Sequence, residues 1–195
     1  MGQTRKRPPA EARYRWEDFI ALDEDDLREL VDGRLVEIEV PTGTHERIVA
    51  VLAGHLYAWG MARKAGIAFA SGYKLKIRDD RGVMPDVQFF RRGGRPLPDL
   101  GLDAGAPDLA VEVVSPSSRR YDRVTKLEWY ASIAVPEYWI VDPDRRTVER
   151  LVLDPEGHYR LAETVEGDST FAPASFEGLE IPLRELWGLP EWFGG

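Results

Sequence analysis

The chain has 195 residues, of which 43% are hydrophobic and 31% charged, and this length suffices for one domain with a sizeable core. It contains no cysteine, which excludes disulfides and thiolate metal sites and fits a cytoplasmic location. With only three histidines, a histidine-rich zinc site is not expected. No apolar run approaches the roughly 20 residues of a membrane helix, so no membrane partner is expected.

Positive charge is concentrated in a few segments of this acidic chain. The formal net charge of −8 argues against a simple nucleic-acid coat. Residues 74–95, however, carry seven Lys/Arg against three Asp, and residues 119–126 carry four Lys/Arg against one Asp. Such segments favour phosphate binding, although a solvated basic face has the same composition. The residues predicted to contact phosphates are Lys74, Lys76, Arg119, Arg120 and Arg123.

Hydrophobic periodicity predicts a single domain over residues 14–195, preceded by a basic flexible tail over residues 1–13. In the first half of the domain, Thr44 is the predicted N-cap of a long helix with one apolar stripe. The predicted elements of this half are short helices over 16–22 and 24–30, a strand over 35–40, the long helix over about 44–64, and strands over 68–77 and 83–90.

The second half of the domain begins with a glycine- and proline-rich loop and continues with nearly unbroken apolar runs that predict buried central strands. The predicted elements are a loop over 91–107, a strand over 109–114, a helix from Ser117 or Ser118 to about 133, a strand over 137–141, a meander of 147–153 and 159–163, and a final strand and short helix near 179–187. Together these elements predict an α/β fold in which helices flank a mixed central β-sheet with an added β-meander.

Two carboxylates lie within these apolar runs, where packing gives no reason for a charge. Asp86 follows Pro85, and Glu112 stands between Val111 and Val113. A buried carboxylate is costly unless it is paired or bound to a cation. A shared Mg²⁺ or Mn²⁺ ion would explain both residues, with the backbone carbonyl of Val113 as a third oxygen ligand. Hydrogen bonds from a nearby turn to Asp86, or a salt bridge to Glu112, are the structural alternatives.

The combination of these motifs resembles one known protein family. The motifs are Pro85-Asp86, residues 112–117, Asp122 with Lys126 and Tyr130, residues 135–143, residues 30–36, and His45. They are similar to the Uma-two family, which is assigned to the PD-(D/E)XK nuclease superfamily, and the resemblance covers about residues 15–187. It implies a restriction-endonuclease-like core, Mg²⁺ at Asp86 and Glu112, and hydrolysis of DNA phosphodiesters.

One position departs from the superfamily pattern, which has a lysine two residues after the glutamate, where this chain has Val114. Lys126 is the nearest residue that could replace this lysine. At roughly 1.5 Å per residue, it lies some 12 Å from the start of the next helix. Because helical side chains lean toward the N-terminus, its ammonium group could point back toward Glu112. The alternative is a surface pair with Asp122 at i,i+4 spacing, worth about 0.3–0.5 kcal/mol.

Further site candidates follow from the resemblance. The superfamily often takes another acidic ligand from its first core helix, which points to Glu46 with His45 beside it, and Glu37 on the preceding strand is a further candidate. Acidic residues in a first helical turn also interact favourably with the helix dipole, so structural roles stay open.

Two functional hypotheses result from the sequence. One is a metal-dependent endonuclease that uses Asp86, Glu112 and Lys126, for which a homodimer would suit cleavage of two strands. The other is a catalytically silent binding or assembly module that keeps the nuclease fold, which Val114 and the net charge of −8 favour.

Overall fold

The structure is a computed structural model that describes residues 13–23, 26–93 and 96–193. The predicted tail therefore lies outside the described residues, apart from its last residue. The helices are α1 (Trp16–Ile20), α2 (Gly43–Arg63), α3 (Leu127–Ser132) and α4 (Arg184–Trp187), with a π-helical segment at Tyr121–Lys126 and a 3₁₀ turn at Glu191–Phe193. The strands are β1 (Arg28–Val31), β2 (Arg34–Glu37), β3 (Gly66–Ala70), β4 (Lys74–Arg78), β5 (Arg81–Val83), β6 (Val87–Arg91), β7 (Gly101–Leu102), β8 (Leu109–Val113), β9 (Glu137–Asp142), β10 (Thr147–Leu153), β11 (Tyr159–Glu166), β12 (Thr170–Phe171) and β13 (Ile181–Pro182).

The larger sheet of the described chain has six strands in the order β11-β10-β9-β8-β6-β3. Strands β8 and β9 run parallel, and the other neighbours pair antiparallel. Strands β10 and β11 form the predicted meander, and β10 pairs antiparallel with the predicted central strand β9. Helix α2 packs against β3, β6 and β8 on one face, and α3 with the π-helical segment covers the other face. The predicted mixed α/β fold is therefore confirmed.

A second sheet, which the sequence did not predict, has the order β2-β1-β5-β4-β7. This second sheet arises because the segments 68–77 and 83–90, each predicted as one strand, divide into two strands that belong to different sheets. The first divides after β3, where Gly72 has a φ of 86° that favours glycine. The second divides between β5 and β6 at Met84, Pro85 and Asp86, where proline has no N–H to donate to a ladder.

The N-terminal region also differs from the prediction. In place of a second short helix, residues 28–31 form β1, which pairs with β2 as a hairpin in which Leu30 lies opposite Leu35. Residues 24–25 of the predicted helix lie outside the described residues. Asp32 and Gly33 both have positive φ and form the two-residue turn, so tertiary pairing prevails over the acidic helix-start signal. Residues 101–102 form a short strand, β7, within the predicted loop.

Helix α2 has the predicted extent but a different cap. Thr42 rather than Thr44 is the N-cap, because its side-chain oxygen accepts the backbone N–H of His45 at 3.2 Å. The helix ends at Arg63, and the C-cap residue Lys64 has a left-handed conformation. The predicted apolar stripe is buried against the larger sheet, and its members are Ile48, Val49, Leu52, Leu56 and Trp59.

The helix after β8 begins close to the predicted position, with Arg119 as its first helical residue. In the turn before it, Ser115 Oγ accepts the N–H of Ser118 at 3.1 Å, and the Ser115 carbonyl accepts the N–H of Arg119 at 3.0 Å. The Ser118 carbonyl in turn accepts the N–H of Asp122 at 2.9 Å, so Ser115 and Ser118 both satisfy N–H groups at the start of the helix.

Within the described part of the chain, no helix is both long and apolar enough to span a bilayer.

Two glycines of α2 provide a test of this packing. Gly54 has open space around its missing Cβ, whereas a Cβ on Gly60 would lie 2.6 Å from the Gly66 carbonyl oxygen. Gly54→Ala should raise the free energy of unfolding by about 0.5–1 kcal/mol, because alanine loses less backbone entropy in a helix. Gly60→Ala should lower it by about 1–3 kcal/mol through overpacking. Urea denaturation measures both changes, and equal effects would contradict the close approach of α2 to β3.

Candidate active site

The two predicted carboxylates lie next to each other on neighbouring strands. Strands β6 and β8 pair antiparallel with Val87 opposite Val111, so Asp86 and Glu112 follow as the next opposed positions. The Val113 N–H donates to Oδ2 of Asp86 at 2.7 Å. Asp86 is therefore held against the end of β8 by a backbone donor, while Glu112 is buried on the face that α3 covers.

Lys126 points into this site from the π-helical segment. Its Nζ lies 2.9 Å from Oε1 of Glu112, 3.3 Å from Oε1 of Glu29 and 3.5 Å from Oδ1 of Asp122. The predicted approach of Lys126 to Glu112 is thus confirmed. The i,i+4 pair with Asp122 is also present, but its predicted surface location is wrong, because the side chains of Lys126 and Asp122 are only 7% and 4% exposed. Single π-helical turns are rare and often occur at functional sites.

Glu29 is a further acidic member of the site, and the sequence analysis missed it. Its Oε1 accepts the Met84 N–H at 3.1 Å and faces Lys126, and its Oε2 accepts the Tyr121 hydroxyl at 3.0 Å. The sequence predicted a short helix for this segment, and an acidic residue in a short helix indicates a solvated position. A strand assignment would have revealed a glutamate beside Leu30 in a buried strand.

Two tyrosine hydroxyls complete the acidic cluster, which consists of Glu29, Asp86, Glu112 and Asp122 together with Lys126. Tyr130, named from the family resemblance, donates to Oε1 of Glu112 at 2.5 Å, and Tyr138 donates to the Asp122 carbonyl at 3.1 Å. Burial raises the pKa of Tyr130 well above its usual range, and the Glu112 carboxylate adds to this effect. Tyr130 is therefore a hydrogen-bond donor that orients Glu112 at neutral pH.

The electrostatics of the cluster are dominated by desolvation and by an excess of carboxylates. Burial raises the pKa of Glu112 well above its usual value, Lys126 opposes this shift, and Asp86 and Asp122 add to it. Burial also disfavours the charged Lys126, but the carboxylates of Glu112, Glu29 and Asp122 raise its pKa well above the usual value. The lysine stays protonated at neutral pH, and its one positive charge faces four acidic side chains.

His45 lies at the edge of the cluster. Its Nε2 is 3.2 Å from Oδ2 of Asp86, and its Nδ1 is 3.7 Å from Oε1 of Glu46. Burial of the ring lowers the pKa of His45, but the hydrogen bond with Asp86 and the charges of Asp86 and Glu46 raise it overall. Glu46 itself is 56% exposed. Glu37 lies exposed on β2 opposite Arg28, rather than in the buried cluster.

The basic residues predicted to contact DNA have different environments. Lys74 is a correction: it is buried, and its Nζ donates to the Phe19 carbonyl at 2.9 Å, so it cannot reach a phosphate. Burial accordingly lowers the pKa of Lys74. Lys76 lies on the same strand with Nζ 3.0 Å from Asp79, and Arg120 is exposed near the start of the helix.

Arg119 and Arg123 form ion pairs with the meander. Arg119 lies 3.2 Å from Asp142 and 3.1 Å from Asp144, and Arg123 lies 2.5 Å from Glu149. These contacts join the helix to β9 and β10, which gives both arginines a structural role.

The donor set of the cluster fits a hard divalent cation. Among the described residues, no group of three or more His, Asp or Glu side chains is arranged to hold a metal ion by itself. Mg²⁺ does not need one, because one or two carboxylates, waters and substrate phosphates normally hold it. The hydrogen bonds given above fall on Oδ2 of Asp86 and Oε1 of Glu112. The second oxygen of each carboxylate takes part in none of these bonds.

The fold is similar to that of a solved structure, described as a putative nuclease belonging to DUF820 from Anabaena variabilis ATCC 29413. The match covers 88% of this chain and 96% of that chain, with a TM-score of 0.67 and 22% sequence identity. At this identity the match shows a common fold. A comparison with curated proteins finds no match.

A protein-family model described as "Putative restriction endonuclease" matches residues 16–184, which is most of the chain. The matched range includes β1, α2, the β6–β8 pair and the π-helical segment, and thus every member of the acidic cluster. The chain belongs to the Uma2 family.

Proposed function

We propose that this protein is a metal-dependent endonuclease that hydrolyses DNA phosphodiester bonds, with Asp86 and Glu112 as metal ligands and Lys126 as a catalytic side chain. One observation carries the proposal: three carboxylates, those of Glu29, Glu112 and Asp122, meet one buried lysine where the two sheets join. A fourth carboxylate, that of Asp86, lies opposite Glu112 at the end of β8. A structural ion pair needs one partner for each charge, whereas this cluster retains an excess of negative charge. A divalent cation would neutralise that excess.

Asp86, Glu112 and the backbone carbonyl of Val113 are the proposed ligands of Mg²⁺ or Mn²⁺. When bound, such an ion polarises a phosphate and makes hydroxide available from water near neutral pH. The chain itself positions the ligands. The Val113 N–H fixes Asp86, and the Tyr130 hydroxyl fixes Glu112, so each carboxylate has one oxygen held and one left for the ion.

Lys126 takes the role of the superfamily lysine in this proposal. Val114, which occupies the usual position, is buried in the apolar cluster between the larger sheet and α3, and has no charge to offer. Lys126 brings an ammonium group to the same carboxylate from the following helix. A preorganised positive charge beside the phosphate stabilises the charge that develops in the transition state.

DNA is the proposed partner, and Arg120, which is exposed, is the basic residue best placed to contact phosphates. Lys76 is a second proposed contact, although it would have to share its charge with Asp79. Arg119 and Arg123 would have to share their charge with the acidic residues of the meander. The competing hypothesis, a silent binding module, draws on Val114 and on the same ion pairs as a purely structural network. Metal binding and cleavage distinguish the two hypotheses.

Metal affinity should depend on pH, because a carboxyl group must lose its proton to bind a cation. Since burial raises the pKa of Glu112, protons should compete with Mn²⁺ as pH falls through that raised pKa. We expect calorimetry to give at least about tenfold tighter Mn²⁺ binding at about pH 8 than at about pH 6. The Asp86→Ala, Glu112→Ala double variant should bind no Mn²⁺. Equal binding by wild type and this variant would show that the ion sits elsewhere.

The charge excess should also be visible in stability measured with a chelator present. Lys126→Met should lower the free energy of unfolding by about 3–5 kcal/mol, because buried carboxylates lose their cation. It should also cut turnover at least about tenfold, or about 1.4 kcal/mol of barrier. Glu112→Gln should keep or raise the melting temperature, because folding no longer forces this carboxyl toward its neutral form as pH rises above its unfolded pKa.

Glu112→Gln should nevertheless abolish cleavage of plasmid DNA by Mn²⁺-loaded protein. Unchanged turnover in folded Lys126→Met, or a large stability loss in Glu112→Gln, would favour the silent module with a structural ion pair.

DNA binding should weaken steeply with salt, because neutralised phosphates release condensed counterions. Lys76→Ala and Arg120→Ala should each weaken binding across sequences and reduce the salt slope by about one. Lys74→Met is the matched control, since its buried ammonium bonds to Phe19 and should contribute nothing to the slope. Fluorescence anisotropy over a salt series measures DNA binding by all three variants. If neither Lys76→Ala nor Arg120→Ala changes the salt slope, the DNA binds to another face.

A further inference from the structure

We propose that Glu29 is a positioning residue of this site: it fixes the Lys126 ammonium against Glu112 and holds the bend that carries Asp86. The inference rests on the proposed nuclease function and extends it to a residue outside the Asp86, Glu112 and Lys126 set. Glu29 lies on β1 in the smaller sheet, whereas Asp86 and Glu112 lie at the larger sheet.

Both oxygens of the Glu29 carboxylate are engaged within the protein. Oε1 accepts the Met84 N–H at 3.1 Å and lies 3.3 Å from Nζ of Lys126, and Oε2 accepts the Tyr121 hydroxyl at 3.0 Å. The side chain is 2% exposed. A carboxylate with these commitments has little capacity for a metal ion, so Glu29 differs from Asp86 and Glu112, whose bonds given above fall on one oxygen each.

The partners of Glu29 belong to the two segments that deliver the reactive groups. Met84 begins the bend that places Asp86 before β6, and Tyr121 and Lys126 are the first and last residues of the π-helical segment. One buried carboxylate therefore joins the acid-bearing bend to the lysine-bearing helix. Since a lysine side chain is long and flexible, a second fixed anion beside Glu112 restricts where its ammonium can lie.

A structural carboxylate elsewhere in the chain provides the matched control. Glu137 is also buried, and it binds Arg150, Ser175 and the indole N–H of Trp139. Its partners include none of the members of the acidic cluster. Glu137→Gln should lower stability but leave the kinetic constants of the folded protein unchanged.

The experiment compares Glu29→Gln with Glu137→Gln in the full chain, with Mn²⁺ and plasmid DNA for kinetics. In Glu29→Gln, the amide would keep the size of the side chain and a carbonyl oxygen for the Met84 N–H, but it would lose the charge that faces Lys126. For this variant we expect kcat to fall at least about tenfold while KM for DNA stays within about twofold, as for an interaction that acts on the transition state.

A second readout does not depend on activity. Lys126→Met is introduced into wild type, Glu29→Gln and Glu137→Gln, and the melting temperature is measured in chelator. The decrease in melting temperature caused by Lys126→Met should be smaller in the Glu29→Gln background than in wild type, because the side chains of Glu29 and Lys126 are coupled. It should be the same in the Glu137→Gln background as in wild type.

Two results would overturn the proposal. One is a kcat for Glu29→Gln within about twofold of wild type. The other is an equal Tm loss from Lys126→Met in the wild-type and Glu29→Gln backgrounds. If wild type cleaves no DNA under any metal condition, the proposed nuclease function fails, and the Tm comparison alone then decides whether Glu29 holds Lys126.

Discussion

The architecture of this site depends on one buried ammonium group surrounded by carboxylates. Lys126 is almost completely excluded from water, which is tolerable only because Glu112, Glu29 and Asp122 lie within 3.5 Å of its Nζ. The charged lysine in turn offsets part of the free-energy cost of burying these carboxylates. This mutual dependence fixes the π-helical segment over β8, and it leaves a surplus of negative charge on the side where Asp86 approaches.

The two sheets exist in their observed form because the chain crosses between them at points close to this cluster. The bend at Pro85 ends β5 and starts β6, and it places Asp86 beside the end of β8 rather than within a regular ladder. The β1–β2 hairpin supplies Glu29 from the smaller sheet. Packing of α2 on the opposite face of β8 buries that strand on both sides, so bulk water compensates little of the charge on Glu112.

The sequence was informative where one local signal dominated. The apolar stripe of α2, the buried run around Glu112 and the meander turns predicted their elements correctly, and Asp86 and Glu112 stood out because polar residues are unexpected in such runs. The return of Lys126 to Glu112 followed from the direction in which helical side chains lean.

Other features required information that no local pattern holds. The division of two long strands between sheets depends on tertiary pairing, and so does the strand conformation of Glu29. Lys74 alternates with apolar residues as an exposed lysine would, but its ammonium reaches a backbone carbonyl of α1 that only the fold brings near. The burial of Asp122 likewise depends on how the π-helical segment packs.

Anomalous diffraction from crystals grown with Mn²⁺ is the sharpest test of whether the acidic cluster binds a divalent metal ion. We expect one anomalous peak within about 2.0–2.3 Å of carboxylate oxygens from both Asp86 and Glu112, a distance suited to small divalent cations. Lys126 should lie beside the peak without binding it. A peak at another place, or none at saturating Mn²⁺ with the Lys126–Glu112 pair intact, would show that the cluster is not a metal site.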